Sequence, residues 1–103
     1  MDFGYLDQVF VLKNGEEIHN IKGESVRGIV FQLAKATKIE EKLNLPDHTT
    51  YKIILSTSKE SVQYSKDQTE AEILVYPQGD LIYLRYGDQL YELSESLSSY
   101  GIT

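Results

Sequence analysis

Two histidines, His19 and His48, are the side chains best suited to acid–base or metal chemistry near neutral pH. They form no H-x-H, H-x-x-x-H or H-E-x-x-H pattern, whereas a zinc site needs three or four convergent ligands. The chain has no cysteine, which excludes thiol nucleophiles, disulfides and Cys-ligated metals. We therefore expect both histidines to be ordinary surface or half-buried side chains, and we predict no bound metal and no cofactor.

Serines and carboxylates give no stronger sign of catalysis. The serines of the second half of the chain lie in no G-x-S-x-G motif and are typical of turns and caps. Glu70 and Glu72 would share one strand face, but a glycosidase needs two carboxylates across a sugar-sized cleft. No glycine-rich phosphate-binding pattern occurs. We interpret the carboxylate pairs as solvated strand edges and predict that the protein is not an enzyme.

Tyrosine is the one residue type with an unusual count, at eight against three Phe and no Trp. Tyr favours interfaces and half-buried sheet faces because it has an apolar body and a polar tip. The alternation along residues 81–86 puts Tyr83 on one face of a strand and Tyr86 on the other. Either the sheet curls and hides both faces, or tyrosines lie partly exposed. We predict a candidate interaction surface centred on Tyr76, Tyr83 and Tyr86, against the alternative that Tyr simply covers sheet surface.

Strands and one helix would have to position these groups. Residues 5–12 alternate as a strand, Asn14-Gly15 is a strong type I′ hairpin signal, and residues 17–21 form the return strand with Ile18 buried. Residues 23–37 carry an apolar stripe at helical spacing, with Gly23 or Ser25 as cap. Gly28 within it is expected to permit the close approach of a strand or another backbone. The stripe comprises Val26, Ile29, Val30, Leu33 and Ala34.

The rest of the chain indicates antiparallel strands. They are predicted over residues 51–55, 62–64, 70–76, 81–86 and 89–93, separated by polar or glycine turns, with one helical turn at residues 40–42. Ser94 is a candidate N-cap for a terminal turn that carries Leu97. Because the helical stripe must pack on the sheet, we predict a single α+β domain over residues 1–103. Its architecture is one main helix on a curved antiparallel sheet of five to six strands, with a short C-terminal helical turn.

Composition narrows the classes of partner. The 103 residues carry a formal net charge of −6, and 41% are hydrophobic. An acidic balance argues against non-specific nucleic-acid binding, and no run approaches the roughly 18 apolar residues of a membrane helix. The first residues have no basic or apolar region of a signal peptide. We expect either an intracellular protein or a domain from which an export signal has been removed.

Two segments carry a resemblance to a known family. Residues 46–55 read PDHTTYKIIL, and residues 90–94 read LYELS before a final amphipathic stretch, with the helix 26–36 upstream. This order resembles the small lipoprotein domains of Bacillus and related Firmicutes, the YhfM-like family. The resemblance implies tethering outside the membrane through a lipidated Cys, which this sequence lacks, and it transfers no activity or catalytic residue.

Two hypotheses of function follow. The first is a non-enzymatic extracytoplasmic binding domain of a Gram-positive lipoprotein, whose partner is another protein or a cell-envelope component. The alternative is a small acidic intracellular or phage-encoded protein that inhibits a protein partner. Charge mimicry of nucleic acid would need clustered carboxylates, but Lys and Arg are interspersed along the whole chain.

Overall fold

One antiparallel sheet of seven strands, backed by one α-helix, organises the part of the chain that is described. The computed structural model describes residues 6–40, 44–46, 48–56 and 70–102. The strand order is β2-β1-β4-β5-β6-β7-β3. The α+β class is confirmed, but five to six strands is wrong, since the sheet has seven. The elements are β1 (Gln8–Lys13), β2 (Glu16–Lys22), α1 (Val26–Ala34), β3 (Thr37–Ile39), β4 (Tyr51–Ser56), β5 (Glu70–Gln78), β6 (Leu81–Tyr86) and β7 (Gln89–Leu93).

The first hairpin turns at the predicted dipeptide. Asn14 and Gly15 both have positive φ, 53° and 84°, as a type I′ turn requires. The register of β2 then shifts, because Val11 lies opposite His19 whereas the next residue of β1 lies opposite Glu17. This bulge leaves Ile18 unpaired and 39% exposed. The prediction that Ile18 is buried is therefore wrong, because an extra residue breaks the alternation of faces.

The helix is shorter than its periodicity predicted. A 3₁₀ turn at Gly23–Ser25 precedes it, and α1 ends at Ala34. Ser25, one of the two predicted caps, occupies the N-cap position of α1 but makes no side-chain cap hydrogen bond. Within the predicted stripe, Val30 is half-buried and Ala34 is exposed. The three stripe residues buried against the sheet are Val26, Ile29 and Leu33.

The later strands follow the alternation closely. β4, β6 and β7 span the predicted residues to within one, and β5 continues two residues further, through Pro77. β3 was not predicted, and it pairs with β7 at the far edge of the sheet. The strand predicted at residues 62–64 lies outside the described residues, as does most of the helical turn at 40–42.

A second segment covers the core beside the helix. Leu97 and Ile102, which follow β7, are buried in the same core as Leu33. The terminal turn is a 3₁₀ turn at Ser98–Tyr100, so it begins later than the predicted cap at Ser94. The close approach expected at Gly28 is made by a side chain and not a backbone, since a Cβ there would lie 3.2 Å from the Tyr100 hydroxyl. The helix and the terminal segment therefore both cover one face of the sheet.

Candidate functional site

The face of the sheet opposite α1, called the open face here, carries a row of side chains that crosses all seven strands. Cross-strand partners in an antiparallel sheet point to the same side, so the pairing register defines the row. Leu74 of β5 lies at its centre, with Lys52 of β4 and Arg85 of β6 directly beside it. In strand order the row is Glu17, Leu12, Lys52, Leu74, Arg85, Leu90 and Ile39.

The open face is apolar to a degree unusual for a face that no described helix covers. A sheet with one solvated face normally alternates apolar and polar residues along each strand. Here β4 and β5 have apolar residues on both faces, with Ile54 between buried neighbours and Leu74 likewise. All the large apolar side chains of this face except Tyr76 are half-buried and reach solvent: Phe10, Leu12, Ile39, Ile54, Leu74, Leu81, Tyr83 and Leu90. Exposed apolar surface marks contacts in soluble proteins, and here apolar side chains reach solvent between the charged residues Lys52, Glu72 and Arg85.

The structure brings together two of the three predicted site tyrosines. Tyr76 and Tyr83 are direct cross-strand partners on the open face. Tyr86 is paired with Ile73, which is a core residue, so it lies on the opposite side of the sheet and is 36% exposed at its rim. The three rings therefore do not form one surface, and whether any of them binds a partner stays a prediction.

Tyr76 is held as part of the structure. It is only 4% exposed, and its hydroxyl donates a hydrogen bond of 2.7 Å to the Pro46 carbonyl in the segment between β3 and β4. The guanidinium carbon of Arg85 lies 5.8 Å from the centroid of its ring. The same segment is tied to the sheet where the Thr49 hydroxyl donates to the Val75 carbonyl. Tyr76 thus anchors one end of the open face, and Tyr83 beside it remains accessible.

The charged groups on the open face are of both signs. Lys52 and Glu72 form an ion pair of 3.6 Å across neighbouring strands. The register puts three basic positions on this face, Lys22, Lys52 and Arg85, and four acidic ones, Glu17, Glu70, Glu72 and Glu92. The chain as a whole carries −6. Both signs of charge are therefore interspersed among the apolar side chains of the open face.

The histidines lie away from this surface. His19 of β2 is half-buried beside Gly101 on the helix side, and His48 is exposed in the segment before β4. The described ranges contain no group of three or more His, Asp or Glu side chains that could hold a metal ion. The open face offers apolar area, the aromatic rings of Phe10, Tyr76 and Tyr83, and charges of both signs, and such groups are the means by which a protein surface binds a partner.

Most residues of the open face were missed in the sequence. The signal was present in the runs Ile53-Ile54-Leu55 and Ile73-Leu74-Val75, where the middle residue must face away from its buried neighbours. The high number of tyrosines favours tyrosine as the binding residue, although leucine and isoleucine supply most of the apolar side chains of the open face. Phe10 was also missed, because its strand was read only for its buried valines.

The helix layer has one exposed aromatic residue of its own. Phe31 of α1 is 66% exposed, and the amine of Lys35 lies 4.9 Å from its ring centroid. Lys35 also pairs with Glu95 at 3.0 Å. A single exposed apolar side chain is ordinary on a protein surface. Phe31 therefore serves best as a control for the larger open face.

Comparisons with known proteins supply no relative. No family model, curated protein or solved structure matches this chain significantly. No helix among the described residues is both long and apolar enough to cross a membrane.

Proposed function

We propose that this protein is a non-enzymatic binding domain that uses the open face of its sheet to contact another protein. The observation that carries the proposal is the set of half-buried apolar side chains around Leu74, on the face that α1 does not cover. Burying such side chains on binding gains about 25 cal/mol per Å² of apolar area removed from water. Tyr83 adds the aromatic contact that is enriched at interfaces.

The setting that we propose is the cell envelope of a Gram-positive bacterium. This part of the proposal rests on the resemblance to small lipoprotein domains in residues 46–55 and 90–94. It is tested by tagging the protein at its native locus and separating membrane, wall and cytosolic fractions. Recovery with the membrane or wall supports an envelope role. Recovery in the cytosol instead supports the alternative, an acidic intracellular inhibitor of a protein partner.

Binding through the open face is tested with Nile red, a neutral dye whose emission rises on apolar surfaces. The folded protein is used at about 1 µM, a concentration below the Kd of weak protein–protein contacts, and we expect it to enhance the emission of the dye. Leu74→Glu should at least halve that enhancement. It introduces a carboxylate between Lys52 and Arg85, so the folded chain offers it two cross-strand partners.

The matched control is Phe31→Glu, which makes the same kind of change on the helix layer. We expect it to leave most of the enhancement, because Phe31 is a single ring. An enhancement that is absent from the wild type, or that disappears only in the Phe31 variant, would contradict a binding role for the open face.

A further inference from the structure

We infer that the turn between β1 and β2 is a modification site, at which Asn14 loses its side-chain amide and becomes an aspartyl or isoaspartyl residue. The reaction takes place within the chain and needs only hydroxide and water. Of the three asparagines in the sequence, only Asn14 precedes a glycine, since Asn20 precedes Ile21 and Asn44 precedes Leu45. This chemistry is separate from the proposed binding function.

The reacting groups are the Asn14 side chain and the peptide nitrogen that follows it. Hydroxide removes the amide proton of Gly15, and the nitrogen attacks Cγ of Asn14. A bond from this nitrogen to Cγ forms while the bond from Cγ to Nδ2 breaks, and ammonia leaves with a proton from water, which restores the hydroxide. Water then opens the resulting succinimide ring. Cleavage at Cγ gives aspartate, whereas cleavage at the main-chain carbonyl carbon gives isoaspartate, in which the chain continues through the side chain.

Gly15 leaves the attacking nitrogen accessible. It has no Cβ, so nothing shields its nitrogen in the way that the branched side chain of Ile21 shields the nitrogen after Asn20. Asn14, Gly15 and Glu16 are all exposed, and no atom beyond the chain neighbours lies within 4 Å of the position of a Gly15 Cβ. No backbone carbonyl of the described residues accepts a hydrogen bond from the Gly15 nitrogen. Hydroxide and water can therefore reach the reacting atoms.

The folded turn holds these atoms apart. Asn14 and Gly15 have φ of 53° and 84°, as in a type I′ turn, whose first central residue has ψ of about +30°. At this ψ the Gly15 nitrogen lies on the side of the Asn14 nitrogen and away from Cβ, so it cannot reach Cγ. The Asn14 N–H also donates a hydrogen bond of 2.8 Å to the Thr50 carbonyl, which ties the turn to the segment before β4. The reaction must therefore pass through an opened turn, and its rate follows the population of that open form.

The two products affect the hairpin differently. Asp-Gly favours the same type I′ turn as Asn-Gly, so the aspartyl product keeps the pairing of Lys13 with Glu16. Isoaspartate adds a methylene group to the main chain, and a two-residue turn then no longer fits between these paired residues. The isoaspartyl product therefore makes the opening of the turn permanent.

Peptide mapping by mass spectrometry tests the site. The full chain is incubated at one neutral pH, folded and in guanidinium chloride, in water enriched in heavy oxygen, which labels each residue that exchanges its amide nitrogen for oxygen. In the unfolded chain we expect Asn14 to be labelled before Asn20 and Asn44. In the folded chain Asn14 should be labelled about ten- to a hundredfold more slowly, which corresponds to an opening free energy of about 1.4–2.8 kcal/mol. A short unstructured Asn-Gly peptide in the same buffers corrects for any effect of the denaturant on the chemistry.

The Asn14→Asp variant separates the effect of the new charge from that of the altered main chain. It should unfold at the same denaturant concentration as the wild type, whereas the isoaspartyl form, isolated by chromatography from aged protein, should unfold at a lower one. Labelling of Asn20 or Asn44 before Asn14 in the unfolded chain, or an Asn14 that stays intact in the folded chain, would overturn the site. Equal rates in the two states would show that the turn does not control the reaction. An isoaspartyl form as stable as Asn14→Asp would contradict the effect on the hairpin.

Discussion

Single residues at the β2 edge show how closely the chain is packed there. Gly101 has φ +81°, and a Cβ at this position would lie 2.9 Å from Cδ1 of Ile18 and 3.3 Å from the ring of His19. Gly15 has almost the same φ, +84°, with nothing within 4 Å of its Cβ position. The two glycines therefore separate the cost of backbone strain from the cost of crowding.

We predict that Gly101→Ala destabilises the fold more than Gly15→Ala does. Both substitutions place Ala in the left-handed region, at about 1–2 kcal/mol. Gly101→Ala should cost about 0.5–1 kcal/mol more, because it crowds Ile18 and His19. Urea unfolding measures both values. Adding Ile18→Val, which removes the nearest atom, should recover part of the difference, and an equal cost at the two glycines would show that the contact is unimportant.

The hydroxyl of Tyr76 provides a second test at the residue scale. Tyr76→Phe removes the hydrogen bond to the Pro46 carbonyl and leaves that carbonyl without this donor. We expect a loss of about 0.5–1.5 kcal/mol in the free energy of unfolding. Tyr83→Phe, on the neighbouring strand, is the control and should change stability by less than about 0.5 kcal/mol. Similar losses for the two tyrosines would mean that the Pro46 contact does not hold the segment before β4.

At the scale of elements, α1 is held by its buried stripe. Leu33 is fully buried, and Leu33→Ala should lower the free energy of unfolding by about 2–5 kcal/mol because it leaves a cavity. Phe31→Ala, two residues away on the exposed side, should change it by less than about 0.5 kcal/mol. Chemical denaturation of both variants decides the point. A loss below about 0.5 kcal/mol for Leu33→Ala would show that the helix does not pack on the sheet through this stripe.

The elements that the sequence predicted well are those whose signals are local. The Asn14-Gly15 turn and the hairpin of β6 and β7 depend on neighbouring residues, and both form as predicted. β3 was missed because three residues, Thr37–Ile39, become a strand only by pairing with β7, fifty residues away in the chain. Ile18 was misplaced because alternation cannot reveal a bulge.

The candidate site was predictable only in part, for the same reason. Alternation correctly separates Tyr83 from Tyr86, but it cannot show that the segment through Pro46 covers Tyr76. Nor does it show that Leu12, Leu74 and Leu90 form one row, since that depends on a strand order in which β4 lies between β1 and β5. Strand order is a property of the whole sheet, and local sequence does not encode it.

At the scale of the whole molecule, two elements cover the helix side of the sheet: α1 and the segment that follows β7. Residues of α1 and of the segment after β7 pack in one core on this side, where Leu97 and Ile102 are buried together with Leu33. An ion pair between Lys35, at the end of α1, and Glu95, in the terminal segment, joins the two elements. Its side chains are 46% and 41% exposed. Apolar burial and surface charge thus act side by side in one segment, where their contributions can be compared.

We predict that apolar burial, and not the ion pair, holds the terminal segment in place. Leu97 is fully buried, so Leu97→Ala should cost about 2–5 kcal/mol. Glu95→Gln removes the charge two residues earlier and should cost no more than about 1 kcal/mol, because exposed ion pairs are screened by water and salt. Thermal and urea unfolding at low and high salt measure both effects, and only the Glu95 effect should shrink as salt rises. A Glu95→Gln variant as unstable as Leu97→Ala would mean that the ion pair with Lys35 holds the terminal segment against α1. In that case the core beneath the terminal segment would contribute less than its burial indicates.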